Sequence, residues 1–321
     1  MGIAMLEYFW KQQDDIPAGM GYPLFGIAHL LSVAITLFFV VLMAGWIVGL
    51  DGTEKRRGRV LLGIPLFMVA LEIFKDLFLV RVGRFGIGYL PLHVCSIGIF
   101  VFLLRELGAR GLAQSSRGSD PGQRSKLPQS SKGHDPGLHP KLPQSSKEHD
   151  PWQRSKLPQS SKDHDPGRNS QLPHLVDIFG EIAFVLIMPA SFTALIFADW
   201  TVYYPVLNFM NIYSYIWHGL LILYPVALWL TGEVSPSIRH IHYVIVFLCV
   251  VTPPIYAFDK RFGCNYFFVN WPVADSPLSW LASFMGNPGY LVGYAALTLA
   301  VIMLMYLAVW VIDRYRKAAD V

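Results

Sequence analysis

Charge is what this sequence has least of. Only 15% of its 321 residues are Asp, Glu, Lys or Arg, while 53% are hydrophobic, and the mean hydropathy is +0.41. Globular domains carry about 25% charged residues to keep their surface in water, so an ordinary soluble fold is excluded. The apolar stretches lack the period-two alternation of barrel strands. They run instead to roughly 18 residues or more, the length of a bilayer-crossing helix. Cysteine is scarce as well. Cys95, Cys249 and Cys264 are three in number, and two of them fall in apolar runs, so no disulfide framework is indicated. The N-terminal stretch holds Glu7, Asp14 and Asp15 and no basic start before a short apolar core, which sets it apart from a cleaved signal peptide. The net charge of +4 sits in connecting segments, so no nucleic-acid partner is expected.

What is present is a series of apolar runs, at residues 24–49, 60–80, 90–107, 175–197, 206–230, 240–258 and 289–312. They predict an all-α, polytopic membrane protein with seven transmembrane helices. Residues 108–173 are of another kind. Lys126-Leu-Pro-Gln-Ser-Ser-Lys132 recurs at 141–147 and at 156–162, and each copy is followed by His-Asp-Pro, beginning at His134, His149 and His164. Such Pro-, Ser- and Lys-rich repeats cannot bury a core, so a disordered repeat insertion is expected between helices three and four. The parts before and after it, 1–107 and 174–321, then form one membrane domain. Metal ligation by the repeated His-Asp would need a fixed outer shell, and neither metal nor cofactor is expected. Lys and Arg gather after spans one, three and five and at the C-terminus. That bias places the N-terminus outside and the C-terminus in the cytoplasm of a multi-pass cell-membrane protein. Lys260 and Arg261 run against it.

A charged group at the centre of a span costs about 2.5–3.5 kcal/mol, so the polar residues within the runs are the functional candidates. His29 shares a helical face with Ser32 and Thr36. It either sits at the interface beside back-bonding hydroxyls or takes part in chemistry. Glu72 can lie on one face with Lys75 and Asp76, either as a structural pair with Lys75 or as a buried acid orienting a histidine. In Leu90-Pro91-Leu92-His93-Val94-Cys95-Ser96, Pro91 suits the first turn of a helix. The helix N-terminus would then favour a thiolate at Cys95. On a regular helix His93 and Cys95 lie about 200° apart, so any base for Cys95 comes from another span, and His93 shares a face with Ser96. Asn208, Asn211, Tyr215 and His218, spaced three, four and three, form a polar stripe that must face protein or a water-filled cavity.

The segment Leu90–Cys95, the His218 of Tyr215-Ile-Trp-His-Gly, and Asn265-Tyr266-Phe267 resemble the YwaF-like family of bacterial integral membrane proteins. That family is similar to a eukaryotic multispanning phospholipid acyltransferase. The resemblance covers the seven spans and excludes the insertion, and the Asn-Tyr-Phe-Phe reading at 265–268 is a variant of the family's loop. It implies a membrane cysteine as acyl acceptor with an assisting histidine, carried onto Cys95 and His218. In that enzyme, Cys95 would form a thioester with His218 or His29 as base. Glu72 would orient the histidine, and Asn208 and Asn211 would donate to an oxyanion. His93 and Tyr215 would join the Asn pair on the substrate, a membrane phospholipid. The alternative is a small-molecule or ion binding or transport protein whose polar cavity is lined by His29, Glu72, His93 and His218. A third reading makes the polar groups purely structural.

Overall fold

The computed structural model describes residues 6–50, 54–118 and 175–319. The repeats, and the expectation of disorder in them, lie outside the described residues. One compact unit takes in 1–112 and 173–321; of the second, 113–172, only the helix end through Gly118 is described. All regular structure among the described residues is helical: α1 (Ile27–Val48), α2 (Glu54–Arg81), α3 (Val94–Gly118), α4 (Leu175–Ile182), a π-helical segment (Ala183–Ile187), α5 (Met188–Ile196), α6 (Phe209–Leu230), α7 (Ile241–Phe262), α8 (Pro277–Met285) and α9 (Tyr290–Ala319). Among the described residues, five stretches are long and apolar enough to cross a membrane: Ile27–Val48, Leu175–Val202, Phe209–Leu230, Ile238–Phe262 and Tyr290–Ala318. Helices α2 and α3 are 28 and 25 residues long but carry more charge.

Several boundaries differ from expectation. The cluster Lys55, Arg56, Arg57 and Arg59 belongs to the first turns of α2 rather than to a loop. Helix α3 begins at Val94, not Leu90, and continues past residue 107 to Gly118. A residue before proline is pushed out of the helical region, and Leu90 accordingly adopts φ −62°, ψ 148°. Pro253 and Pro254 fall inside α7 without ending it.

The helix ends form two sets of contacts. At one face, Tyr22 N–H donates to Thr201 O at 2.8 Å and Phe209 N–H to Phe9 O at 2.9 Å. Gln12 reaches the Tyr89 hydroxyl at 2.8 Å, and Arg84 pairs with Asp15 at 2.8 Å. A side chain at Gly21 would collide with the Val202 carbonyl, so glycine permits that approach. At the other face, Arg105 bridges Glu106 and Glu233, each at 2.7 Å. There too, a Cβ on Gly108 would stand 2.8 Å from Val176 Cγ2.

Helix α6 is the axis of the unit, packing against α1, α2 and α5. Its buried residues, from Phe209 through Tyr215 and Leu221 to Leu228, lie all around its circumference. Helix α1 by contrast exposes Leu31, Phe38 and Val41, as a lipid-facing helix does. Against α6, Phe102 of α3 stacks on Tyr224 with ring centroids 4.2 Å apart.

Gly98 sets how closely α3 approaches: a Cβ there would lie 2.7 Å from Leu221 Cδ2 and 3.1 Å from Ile187 Cγ2, both on buried side chains. Gly98→Leu is therefore expected to destabilise the protein by about 1–3 kcal/mol through overpacking. Gly111→Ala, with nothing within 4 Å of the new Cβ, should raise stability by up to about 1 kcal/mol. Thermal unfolding in detergent micelles distinguishes the two signs.

Candidate functional site

The site gathers where α3 starts. His93 stands just outside the helix, its carbonyl accepting from Ile97 N–H at 2.9 Å. The 200° separation expected of two residues on one helix therefore does not govern His93 and Cys95. Cys95 occupies the first turn, drawn in by the close seat of Gly98. Facing it is the segment where the chain widens into a π-helix immediately before Pro189. Proline has no N–H to continue an α-helical ladder, and π-turns relieve such interruptions. The irregular turn is followed by Ser191, whose Oγ lies 4.0 Å from Cys95 Sγ and donates to Ile187 O at 2.8 Å. A hydroxyl has one proton. With that proton on Ile187, the Ser191 oxygen is left to accept the thiol's S–H. Tyr213 of α6 and Tyr294 of α9 are close enough to interact electrostatically with the thiol.

The three candidate histidines are held in different states. His29 is buried, accepts from Phe25 N–H at Nδ1 (3.0 Å), and meets Leu195 O with Nε2 at 2.9 Å. Since Nδ1 must be the acceptor, Nε2 carries the proton, and both nitrogens are engaged by backbone. This corrects the expectation of His29 as a base: it ties α1 to α5. His218 is the reverse case. Its Nδ1 lies 2.7 Å from Ser214 O, a carbonyl that can only accept, so Nδ1 is protonated and Nε2 holds a lone pair. The ring stacks on Trp200 at 5.2 Å and 4°, and no hydrogen bond occupies Nε2 among the described residues. His93 lies edge-on to Tyr266 at 4.7 Å and within electrostatic range of His218 and Lys75. Tyr266 is set by its hydroxyl donating to Ile87 O. Burial pushes that hydroxyl up to about 12, so it keeps its proton.

Glu72 touches no histidine, and the expectation that it orients one is corrected. One carboxylate oxygen takes Lys75 Nζ at 2.6 Å and the other accepts the Tyr213 hydroxyl. Lys75 also reaches Asp76 at 3.2 Å and the Tyr89 carbonyl at 3.4 Å. The group pins α2 to α6 across the core.

The expected oxyanion donors are likewise engaged. Asn208 is not on the helix but caps it, its Oδ1 accepting from Met210 N–H at 2.8 Å. Its amide donates to Tyr8 O at 2.7 Å and Lys11 O at 2.9 Å. Asn211 donates to Val206 O at 2.9 Å and accepts from the Tyr22 hydroxyl at 2.9 Å. Tyr215 lies 3.3 Å from that same Tyr22 hydroxyl. These three fasten the segment before α1 onto α6. Sequence reasoning missed Ser191, Tyr213 and Trp200. It also missed the buried Arg105–Glu106–Tyr224 group at the opposite face. The position of Ser191 two residues after Pro189 was the one available signal. Among the described residues no cluster of His, Cys, Asp and Glu has the makings of a metal site.

Removing one partner of a buried ion pair strands the other at a cost of about 3–5 kcal/mol. Lys75→Met should thus sharply lower the unfolding midpoint in micelles, and adding Glu72→Gln should recover most of the loss. A double variant as unstable as the single one would mean that the pair is not what holds α2.

Residues 176–306 match the model of a transmembrane protein family described as the TMEM164 family. No curated protein and no solved structure matches the chain. The matched segment contains Ser191, Tyr213 and His218 and begins after Cys95 and Glu72, which it leaves out. The chain is an integral membrane protein with several bilayer-crossing helices, similar over that segment to the TMEM164 family.

Proposed function

We propose that this protein is a membrane acyltransferase in which Cys95 accepts an acyl group from a phospholipid as a thioester. The observation that carries the reading is the state of His218. It is the span histidine whose Nδ1–H is fixed by a backbone carbonyl while Nε2 keeps an unoccupied lone pair, the arrangement a general base requires. Cys95 is held near the hydroxyl of Ser191, and His93, two residues before it, lies within electrostatic range of His218. The likeness of the Cys95 and His218 motifs to YwaF-like proteins, and through them to a phospholipid acyltransferase, supports the same reading.

The chemistry balances without a cofactor. Cys95 rotates from Ser191, and its proton passes to Nε2 of His218. The thiolate attacks the ester carbonyl carbon, and the C–O bond to glycerol breaks as the imidazolium returns the proton to the departing alkoxide. A lysophospholipid leaves. A second lysophospholipid hydroxyl, deprotonated by His218, attacks the thioester. Its C–S bond breaks and the thiolate regains a proton. His93, open at both nitrogens, is placed to meet the substrate. The polypeptide crosses seven times, α2 and α3 included, since their ends join the same two sets of contacts as the five apolar spans. The face bearing Arg105 and Arg57 is cytoplasmic in a cell membrane, with the Cys95 site toward the outer face.

The test is acyl transfer from a labelled phosphatidylcholine to lysophospholipid by the full chain in nanodiscs. Cys95→Ala should abolish transfer and the hydroxylamine-sensitive label on the protein. His218→Gln should lower the rate by about 10²–10⁴, and His29→Gln should act on stability alone. Full activity in Cys95→Ala would remove the thiol from the mechanism and return the polar interior to a binding or transport role.

A further inference from the structure

Among the described residues, Nε1–H of Trp200 is the neutral side-chain donor that is buried without an acceptor. A buried donor left unmet costs about 1–3 kcal/mol, so it calls for a ligand or another explanation. Its setting is specific. Trp200 stacks on His218, with ring centroids 5.2 Å apart and planes 4° from parallel. An indole N–H points outward in the plane of its own ring. The unmet donor therefore lies alongside the imidazole whose Nδ1 is held by Ser214 O and whose Nε2 keeps an open lone pair.

Two further observations say what this donor meets. The first is rigidity. Trp200 lies in a 3-10 turn, Asp199–Val202, just after α5. Its carbonyl accepts from Tyr203 N–H at 3.1 Å and from Tyr204 N–H at 3.3 Å. The adjoining Thr201 is fully buried, with its hydroxyl donating to Ala198 O at 2.9 Å and its carbonyl accepting from Tyr22 N–H at 2.8 Å. Tyr215 packs edge-on against the indole at 5.7 Å. The donor is thus fixed before any ligand arrives, as stabilisation of a developing charge requires. The second is the state of the other donors near α6. Asn208 gives its amide protons to Tyr8 O and Lys11 O, and Asn211 gives one to Val206 O. Trp200 Nε1–H is uncommitted. It can only donate, so its partner is an acceptor oxygen.

We propose that Trp200 Nε1–H is the donor to the acyl carbonyl oxygen of the lipid ester. The catalytic meaning of this contact rests on the acyltransferase reading, whereas binding of an ester carbonyl does not. The indole is partly exposed while Nε1 is covered, so the carbonyl reaches the N–H through a local shift of side chains. As the Cys95 thiolate adds to the carbonyl carbon, the C=O π pair moves onto oxygen. The indole holds that charge by its hydrogen bond and keeps its proton. When the C–O bond to glycerol breaks, the pair returns to re-form the carbonyl, now of the thioester, and the same contact serves the second transfer.

The experiment reads the indole N–H signals of the full chain by nitrogen–proton correlation NMR in maltoside micelles, with Cys95→Ala so that no ester is consumed. The Trp200 signal is the one missing from Trp200→Phe, which keeps an aromatic ring for His218 and loses the donor. If that variant fails to fold, Trp200→benzothienylalanine, the same shape with sulfur for N–H, takes its place. A diacyl phosphatidylcholine should move the Trp200 signal downfield as it is titrated in. A diacylglycerol, which has the carbonyls and no phosphate, should do the same. A dialkyl-ether phosphatidylcholine, which has the phosphate and no carbonyl, should leave the signal in place. An equal response to the ether lipid, or no response to the ester lipids, would overturn the assignment. With Cys95 intact, Trp200→Phe should lower kcat for acyl transfer about 10²–10³-fold with KM little changed. An ester-specific shift in a protein that forms no thioester refutes the acyltransferase reading and leaves the donor site standing. Thioester formation at the wild-type rate in Trp200→Phe refutes the donor and leaves the acyltransferase reading standing.

Discussion

Hydrocarbon offers no partner to a polar side chain, and that constraint organises this structure more than any single contact. Helix α6 is enclosed by α1, α2, α5 and the π-helical segment, so each polar group it carries must find its partner in protein. The partners come from distant parts of the chain: Glu72 for Tyr213, Tyr22 for Asn211, Tyr8 and Lys11 for Asn208. Each such pair fixes one helix or segment relative to the axis. Together they fix an interior in which little can rotate or slide.

Function then emerges by subtraction. His29, Glu72, Asn208 and Asn211 have their capacity taken up by backbone or by one another, and groups so engaged hold structure together. His218 Nε2 and the His93 ring are not consumed in this way, and Cys95 has only a long contact with a hydroxyl that is itself committed elsewhere. An imidazole lone pair left open inside a membrane protein is costly unless it serves a ligand. Of these, His93 lies two residues from Cys95 and within electrostatic range of His218.

The spans were legible because an apolar run of bilayer length carries its own signal, independent of neighbours. What escaped was decided by the third dimension. Leu90-Pro91 reads as a helix start when only the missing N–H of proline is weighed. The restriction on the residue before it delays the helix to Val94, and with it the geometric relation of His93 to Cys95. Asn208 completes a polar stripe by spacing, yet at the head of a helix the same side chain prefers to cap. The pairing of Glu72 with Tyr213 joins residues 141 apart, and nothing local announces it. Ser191 gains its place from a π-turn whose register a periodicity argument cannot supply.

The contact of Gly108 with Val176 has a meaning beyond helix packing. It clamps α3 to the helix that follows the repeats, so the entrance and exit of the insertion are held together whatever lies between. The entropy of closing a loop grows only with the logarithm of its length, about 0.6 kcal/mol for each doubling. Tandem units of fifteen residues can therefore be gained or lost there with little thermodynamic consequence. They join the protein at the end of α3 remote from Cys95. A change in repeat number there leaves the Cys95 end of α3 where it is.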